Sequence, residues 1–338
     1  MEHPPRAERP TIYDVAREAG VSKSLVSLVL NDSGRVSDAK RLAVLAAIDK
    51  LGFRPSRAAA SLRAERSYTV GLVIDDLRNP WFYELLEGLR SALTPRGFHV
   101  AIREQITVGD RVINAIDGFL ESRVDALVVA AEPGRDFKNL GVPTVTEDTR
   151  LHSIEGADLV TSDQNLGVRL ALEHLRAVGH RQIGFVTGAG GSAGARLKAY
   201  LEDMRAHGEP PRYAGERNET NEPGGYAGTI ELLRRHPEVT AVFAANDTMA
   251  LGARAALREV GREVPADAAL VGYDNSLLAQ SRFLDLTTVD LRGFDVGLAS
   301  GEAILRRMEQ PRLPPQRIVI PTRLIVRSSS AATPVPLA

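Results

Sequence analysis

No cysteine occurs anywhere in the chain. That excludes disulfides and thiolate metal sites, and it suits a reducing cytosol. The seven histidines show no metal-ligand spacing, and His174 and His180, which flank one helix end, read as structural or solvated. No nucleophile–base–acid set is evident, so neither enzyme activity nor a cofactor is expected. Long apolar runs are missing too: nothing reaches the ~18 residues a membrane-spanning helix needs. The first ten residues, MEHPPRAERP, lack the apolar centre of a secretory signal and read as a disordered tail of a cytoplasmic protein.

What remains is an ordinary globular composition, 43% apolar and 25% charged, in a chain of 338 residues that is too long for one core. Its net charge of −1 conceals an asymmetry. Residues 1–66 hold 12 Lys/Arg against 8 Asp/Glu, whereas the rest hold 30 against 35. A basic head on an acidic body suits a module that meets phosphates.

The head is organised by Thr11–Asn31, TIYDVAREAGVSKSLVSLVLN. Ile12, Val15, Ala16 and Ala19 make one apolar helical face. Thr11 and Asp14 have the spacing of a capping box, and Gly20 can end the helix in the left-handed conformation. Ser22 then caps a second helix whose Leu25, Val26 and Val29 face inward. Two short helices joined in this way are either an αα-hairpin or a helix-turn-helix with its second helix shaped for a major groove. Asn31–Gly34 is a turn, and Ser37 starts a third helix with Leu42, Leu45, Ile48 and Leu51 as its face and Gly52 as its stop. Ser56–Arg63, SRAAASLR, is a helical segment too short to be stable alone in water.

From Thr69 the texture alternates. Strand-length apolar runs fall at Val70–Ile74, Val100–Ile102, Ala126–Val129, Val142–Val145, Ile183–Val186, Ala241–Ala244 and Leu270–Gly272. Helical stretches lie between them at Trp81–Leu93, Val112–Leu120, Leu166–Val178, Ala193–His207, Gly225–Arg235, Met249–Val260 and Phe294–Met308. This βαβ rhythm predicts parallel sheets in two α/β lobes, roughly 69–160 and 161–288, with a ligand cleft beyond the carboxyl ends of the strands.

TIYDVAREAGVS, VSLVLN, RVS and LGFRPSRAAASLR, followed by a strand, resemble the amino terminus of the lactose-repressor (LacI/GalR) family of transcription regulators, and the resemblance runs through the whole chain. It implies a helix-turn-helix domain at 11–55, a hinge helix and linker at 56–66, and an effector-binding and dimerisation domain at 67–338, similar to periplasmic sugar-binding proteins. The crossings between lobes would then fall near Ser162, Asp290 and Pro321. It implies a homodimer on a near-palindromic double-stranded operator, and a small-molecule effector, a carbohydrate, in the cleft. The DNA-binding residues would be Thr11, Tyr13, Ser22, Lys23, Ser24, Ser27, Leu28, Asn31, Arg57, Ala59 and Leu62. Of these, Lys23, Ser24 and Leu28 are the candidate base readers, and Leu62 is the leucine that wedges into the central minor groove. Ser22, Ser27, Asn31 and Arg57 would hold phosphates. At Leu28 the family usually has arginine; leucine can touch only a thymine methyl, or else it packs in the core.

Effector contacts implied by the resemblance are Asn79, Trp81, Phe82, Asp163, Arg196, Asn246 and Asp274. Asn79-Pro80-Trp81-Phe82 follows the first strand as NPFF-like motifs do, where aromatics stack on a sugar face, although Phe82 also reads as core. Arg196 and Asp274 together can make bidentate hydrogen bonds to vicinal hydroxyls. Asp247 reads as a helix cap. Where the family commonly has a polar residue after the Thr-Thr-Val strand, this chain has Asp290-Leu291. One motif competes with this reading: Gly188–Ala193 fits the G-x-G-x-x-A dinucleotide fingerprint. Its acidic partner would be Glu209 or Glu216, in a stretch without a clear strand. A periplasmic-type solute-binding protein is a further alternative, but it leaves residues 11–63 without a use and needs a signal peptide.

Overall fold

The computed structural model describes residues 10–30, 36–53, 66–108, 111–148 and 152–330. The expectations for the tail, the Asn31–Gly34 turn, the 56–63 helix, and Asn31, Arg57, Ala59 and Leu62 lie outside the described residues. The chain divides into two compact units, Met1–Ser67 and Tyr68–Ala338.

The first unit holds α1 (Ile12–Glu18), α2 (Lys23–Leu30) and α3 (Asp38–Leu51). The capping box forms: the Thr11 hydroxyl accepts from the Asp14 amide, and the Asp14 carboxylate accepts from the Thr11 amide at 2.9 Å. The Ser22 hydroxyl accepts from the Leu25 amide at 3.3 Å. Val15, Ala16, Val26, Val29, Val44, Ala47 and Phe53 close the core. The face expected for α3 holds in its second half, where Ile48 and Leu51 pack against this core, and shifts in its first. Leu42 and Leu45 are 67% and 48% exposed, and Val44 and Ala47 turn inward instead. The alanines of DAKRLAVLAAIDKL give this helix two apolar faces, and contact with α1 and α2 selects one of them.

The second unit contains two six-stranded sheets. Its elements in order are β1 (Thr69–Ile74), α4 (Trp81–Leu93), β2 (His99–Glu104), β3 (Ile106–Val108), β4 (Arg111–Ile113), α5 (Ala115–Glu121), β5 (Ala126–Ala130), β6 (Thr144–Glu147), β7 (Asp158–Ser162), α6 (Gln164–Ala177), β8 (Ile183–Val186), α7 (Gly191–Ala206), β9 (Arg212–Ala214), α8 (Glu222–Arg235), β10 (Ala241–Ala244), α9 (Asp247–Glu259), β11 (Ala269–Tyr273), β12 (Thr287–Asp290), α10 (Gly293–Glu309), β13 (Arg317–Ile320) and β14 (Arg323–Ile325). The first sheet runs β13-β7-β6-β5-β1-β2 and is all parallel. The second runs β14-β12-β11-β10-β8-β9, with only β14 antiparallel. This is the expected class, an all-α head and a two-lobed α/β body.

Two local readings are corrected. Val112 and Ile113, expected to open a helix, lie instead in the strand 111–113 that pairs with 106–108; the helix starts at Ala115, where Asn114 accepts from the Ile116 amide at 3.0 Å. Arg212–Ala214, where no strand was expected, adds to the edge of the second sheet beside β8.

Between the sheets the chain passes three times, from β7 into α6, from β12 into α10 and from β13 into β14. The three crossings are bonded to one another. The Ser162 hydroxyl donates to the Leu291 carbonyl at 2.7 Å, and the Thr322 hydroxyl donates to the Asp163 carbonyl at 3.1 Å. Arg323 pairs with Asp290, Nε to Oδ2, at 2.9 Å. In the first lobe, α4 and α10 meet through glycine: a methyl group on Gly88 would lie 2.0 Å from the Phe294 carbonyl oxygen, and one on Gly297 2.1 Å from that of Leu85. Only glycine permits so close an approach of two helix backbones.

Candidate functional site

Each piece of the site sits where a strand ends. After β1, the Asn79 side chain accepts from the Trp81 amide at 3.1 Å and starts α4. Trp81 is buried, Phe82 is half-buried, and their rings meet edge to face at 5.2 Å. After β8, the loop to Gly190 enters α7, which presents Arg196 from its second turn. After β11 come Asp274 and Asn275, both at positive φ, 109° and 52°. Backbone strain of this kind is held only where the surroundings enforce it. Here Asp247 does so, accepting from the Ser276 amide and hydroxyl at 2.7 and 2.9 Å and from the Thr288 hydroxyl at 2.6 Å.

The centre is Arg196. Its Nε donates to Gln164 Oε1 at 2.9 Å, its Nη1 donates to the Ala245 carbonyl, and the same Nη1 lies 3.3 Å from Asp274 Oδ1. The guanidinium stacks 4.0 Å above the Tyr273 ring. Below Tyr273, contacts through Phe243, Phe185 and Tyr200 continue an aromatic column into the core of the second lobe. Arg196 and Asp274 are 6% and 3% exposed. Burial pushes the Asp274 carboxyl above the usual range; the Arg196 guanidinium and a hydrogen bond from Asn79 oppose that shift. Asp247 is raised as well, by burial first and the Asp274 charge second.

The two lobes touch across this site. Asp148, at the end of β6 in the first lobe, accepts from Ser192 of α7 at 2.9 Å, from the Gln164 amide group at 3.1 Å and from Thr161 at 3.2 Å. Asn79 on the first lobe meets Asp274 on the second. A cavity of about 630 Å³ lies between, within the range of small-molecule sites.

Six of the seven expected effector residues line this cavity: Asn79, Trp81, Phe82, Arg196, Asn246 and Asp274. Asp163 does not. It caps α6, accepting from the Leu166 amide at 2.9 Å, and borders a neighbouring cavity that shares Asp148 and Gln164 with the first. The cap expected at Asp247 belongs to Asn246, which accepts from the Met249 amide at 2.7 Å. Phe82 contacts both the cavity and the core, and so combines the two readings made for it. Asp148, Gln164 and Ser192 were not singled out from the sequence. Their position just past strand ends β6, β7 and β8 was the available signal. Around Gly188–Ala193, the strand Arg212–Ala214 does exist, and Glu216 lies two residues beyond it.

On the first unit, Lys23 of α2 donates to the Tyr13 hydroxyl at 3.0 Å and lies 4.6 Å from the centre of its ring, tying α2 to α1. Tyr13 and Leu28 are 63% and 42% exposed, so Leu28 is not a core residue. Ser24 is exposed beside them, Ser27 is half-buried, and Thr11 and Ser22 serve as caps.

The domain model described as bacterial regulatory proteins, lacI family, matches residues 11–56, and the periplasmic binding protein-like domain matches 172–330. The ribose operon repressor of Escherichia coli (strain K12) is 33% identical over 340 residues, covering 95% of this chain and 99% of that protein. The chain belongs to the LacI family. This LacI-family protein is also similar in structure to the Lac repressor bound to ONPG in the repressed state, with a TM-score of 0.79 and 27% identity over 95% of this chain and 100% of that one. The transcriptional regulator CelR–cellobiose complex matches with a TM-score of 0.67 and 31% identity, over 95% of this chain and 100% of that one. Family membership makes the protein a DNA-binding transcriptional regulator, with its helix-turn-helix in the first unit and its ligand-binding domain in the second.

Proposed function

We propose that this LacI-family protein is a cytoplasmic repressor that binds a near-palindromic operator as a homodimer and is controlled by a carbohydrate in the cavity between its lobes. It has no catalytic role in this reading. Asn79, Trp81, Phe82, Arg196, Asn246 and Asp274 are the effector contacts. Lys23, Ser24 and Leu28 face the bases, and Leu62 supplies the minor-groove wedge.

The observation that carries the reading is the buried Arg196–Asp274 pair beside an aromatic wall, with Asn79 of the opposite lobe on the same carboxylate. A guanidinium and a carboxylate side by side offer donors and acceptors in the alternation that vicinal hydroxyls need. The described lining residues also include Asp75, Asp76, Glu104, Glu132, Glu147, Asp148 and Glu219, with Arg78 and Arg196 as the cations. A lining so rich in carboxylates disfavours a pyrophosphate, even though Gly188–Ala193 and Glu216 are placed as a dinucleotide fingerprint asks. Homology adds weight: relatives include a ribose operon repressor and a regulator seen with cellobiose.

A ligand bridging the lobes changes operator affinity only as far as it prefers one lobe arrangement over another. Selection from a random DNA library should enrich a two-fold symmetric motif, and fluorescence anisotropy on that motif should respond to a saccharide and not to dinucleotides. Enrichment of an asymmetric motif, or a response to dinucleotides alone, would defeat the proposal.

A further inference from the structure

We infer that the cavity is built for a two-ring saccharide, and that Arg78 and Glu219 at its outer end select two rings over one. The inference rests on the carbohydrate reading above.

The cavity has two polar ends that differ in burial. At the inner end Arg196, Asn246 and Asp274 are buried, with Asn79 bonded to Asp274. That set supplies charged and neutral donors and acceptors enough for the hydroxyls of one ring. At the outer end Arg78 and Glu219 are exposed, facing each other from opposite lobes. Arg78 is held by Asp76 through Nε and Nη2, both at 2.9 Å from a carboxylate oxygen, and it feels the charges of Glu219 and Glu104. Glu219 is in turn fixed by the Asn221 side chain at 2.5 Å. The lining also includes Phe82 and Ile106 from the first lobe and Ala189 and Gly190 from the second. Among the carboxylates of this lining, these four residues offer apolar surface suited to the face of a sugar ring.

Volume points the same way. The cavity of about 630 Å³ lies within the ~300–1,000 Å³ of sites for drug-sized ligands, so a second ring has room beside the first. A single ring satisfying the inner end would leave the outer groups to water. A second ring exchanges that water for direct bonds to side chains already positioned by Asp76 and Asn221, at little ordering cost.

The experiment is calorimetric titration of the full-length protein with cellobiose, maltose and lactose, and with D-glucose, D-galactose and D-ribose. Three proteins are compared: wild type, the double variant Arg78→Ala/Glu219→Gln, and Asp274→Asn. Both outer residues are exposed, so the double variant should keep the wild-type melting temperature. At least one disaccharide should bind wild type about tenfold or more tighter than its component monosaccharides. The double variant should lose about that factor for the disaccharide and leave monosaccharide affinity within a factor of ~2, whereas Asp274→Asn should weaken both. A monosaccharide binding as tightly as any disaccharide, or a double variant with unchanged disaccharide affinity, overturns the two-ring inference and leaves the carbohydrate reading intact. Binding of none of the six sugars overturns both.

Discussion

Consider Gly88→Ala in α4 and its mirror, Gly297→Ala in α10. An added methyl at Gly88 meets the Phe294 carbonyl oxygen at 2.0 Å and the Leu298 amide nitrogen at 2.7 Å. Ordinary contact for carbon is ~3.5 Å, so the helices must part by roughly 1.5 Å, and no side chain can swing aside because both obstacles are backbone. Parting them loosens Leu85, Leu89 and Val296, all fully buried at this seam. Overpacking of this kind costs ~1–3 kcal/mol, against which the helix gains ~0.5–1 kcal/mol from replacing glycine with alanine. Because both obstacles are backbone, the cost falls in the upper half of that range, ~2–3 kcal/mol, and the net expectation is a loss of ~1–2.5 kcal/mol for either variant. Gly194→Ala in α7 is the control, since it is exposed and its added methyl meets nothing within 4 Å. It should gain the ~0.4–1 kcal/mol of reduced unfolded-state freedom. Urea denaturation followed by far-ultraviolet circular dichroism measures all three. If Gly88→Ala matched wild type, or if Gly194→Ala fell by as much, contact at the α4–α10 seam would not be the cause.

Three further outcomes are expected. Asp148→Ala removes the acceptor shared by Thr161, Gln164 and Ser192 and leaves donors from both lobes unmet, at ~1–3 kcal/mol; saccharide-dependent thermal stabilisation should shrink, and full retention would exclude Asp148 from holding the lobes together. His180 is buried with Nδ1 3.0 Å from the Thr240 hydroxyl, and burial, with the nearby His174 second, lowers its pKa from 6.5. Its neutral form is therefore the one the fold favours: that stability is complete above pH 6.5 and is lost as pH falls toward the lowered value. Asp247 and Asp274, raised by burial, act in the opposite sense and regain stability as pH falls. His180→Gln should accordingly flatten the loss of urea midpoint between pH 7 and 5, in roughly the range where histidine titrates, and an unchanged slope would exclude His180. Leu28→Arg should acquire a guanine preference at one position in each half-site in a random-library selection, worth ~1–3 kcal/mol, because two parallel donors replace a side chain with none. Identical motifs from both proteins would remove Leu28 from the interface.

The helix-turn-helix was legible because its signals are local. Thr11 and Asp14 cap one helix from three residues apart, and Gly20 and Ser22 mark the turn. The α/β body was legible because its central strands are continuous apolar runs. The phase of α3 was legible only over its second half: with alanine on both sides, the burial of its first half is decided by α1 and α2 rather than by its own period. The short strands β3, β4 and β9 escaped for a related reason, since each is completed by a partner instead of by its own composition. The site shows the same divide. Arg196 and Asp274 announce themselves at strand ends, but Asp148 meets Gln164 and Ser192 from 16 and 44 residues away, a convergence that no spacing rule encodes.

The bonds among the crossings have a kinematic consequence. Ser162–Leu291, Thr322–Asp163 and Arg323–Asp290 join each connecting segment to the other two, closing a ring of constraints around the pivot. Three parallel struts joined in this way cannot bend one at a time. Any change in lobe arrangement must therefore carry all three crossings together or break a bond between them. A molecule that bridges the lobes in the cavity thus meets a pivot whose three segments are coupled to one another. That coupling is a property of the fold before any ligand has entered.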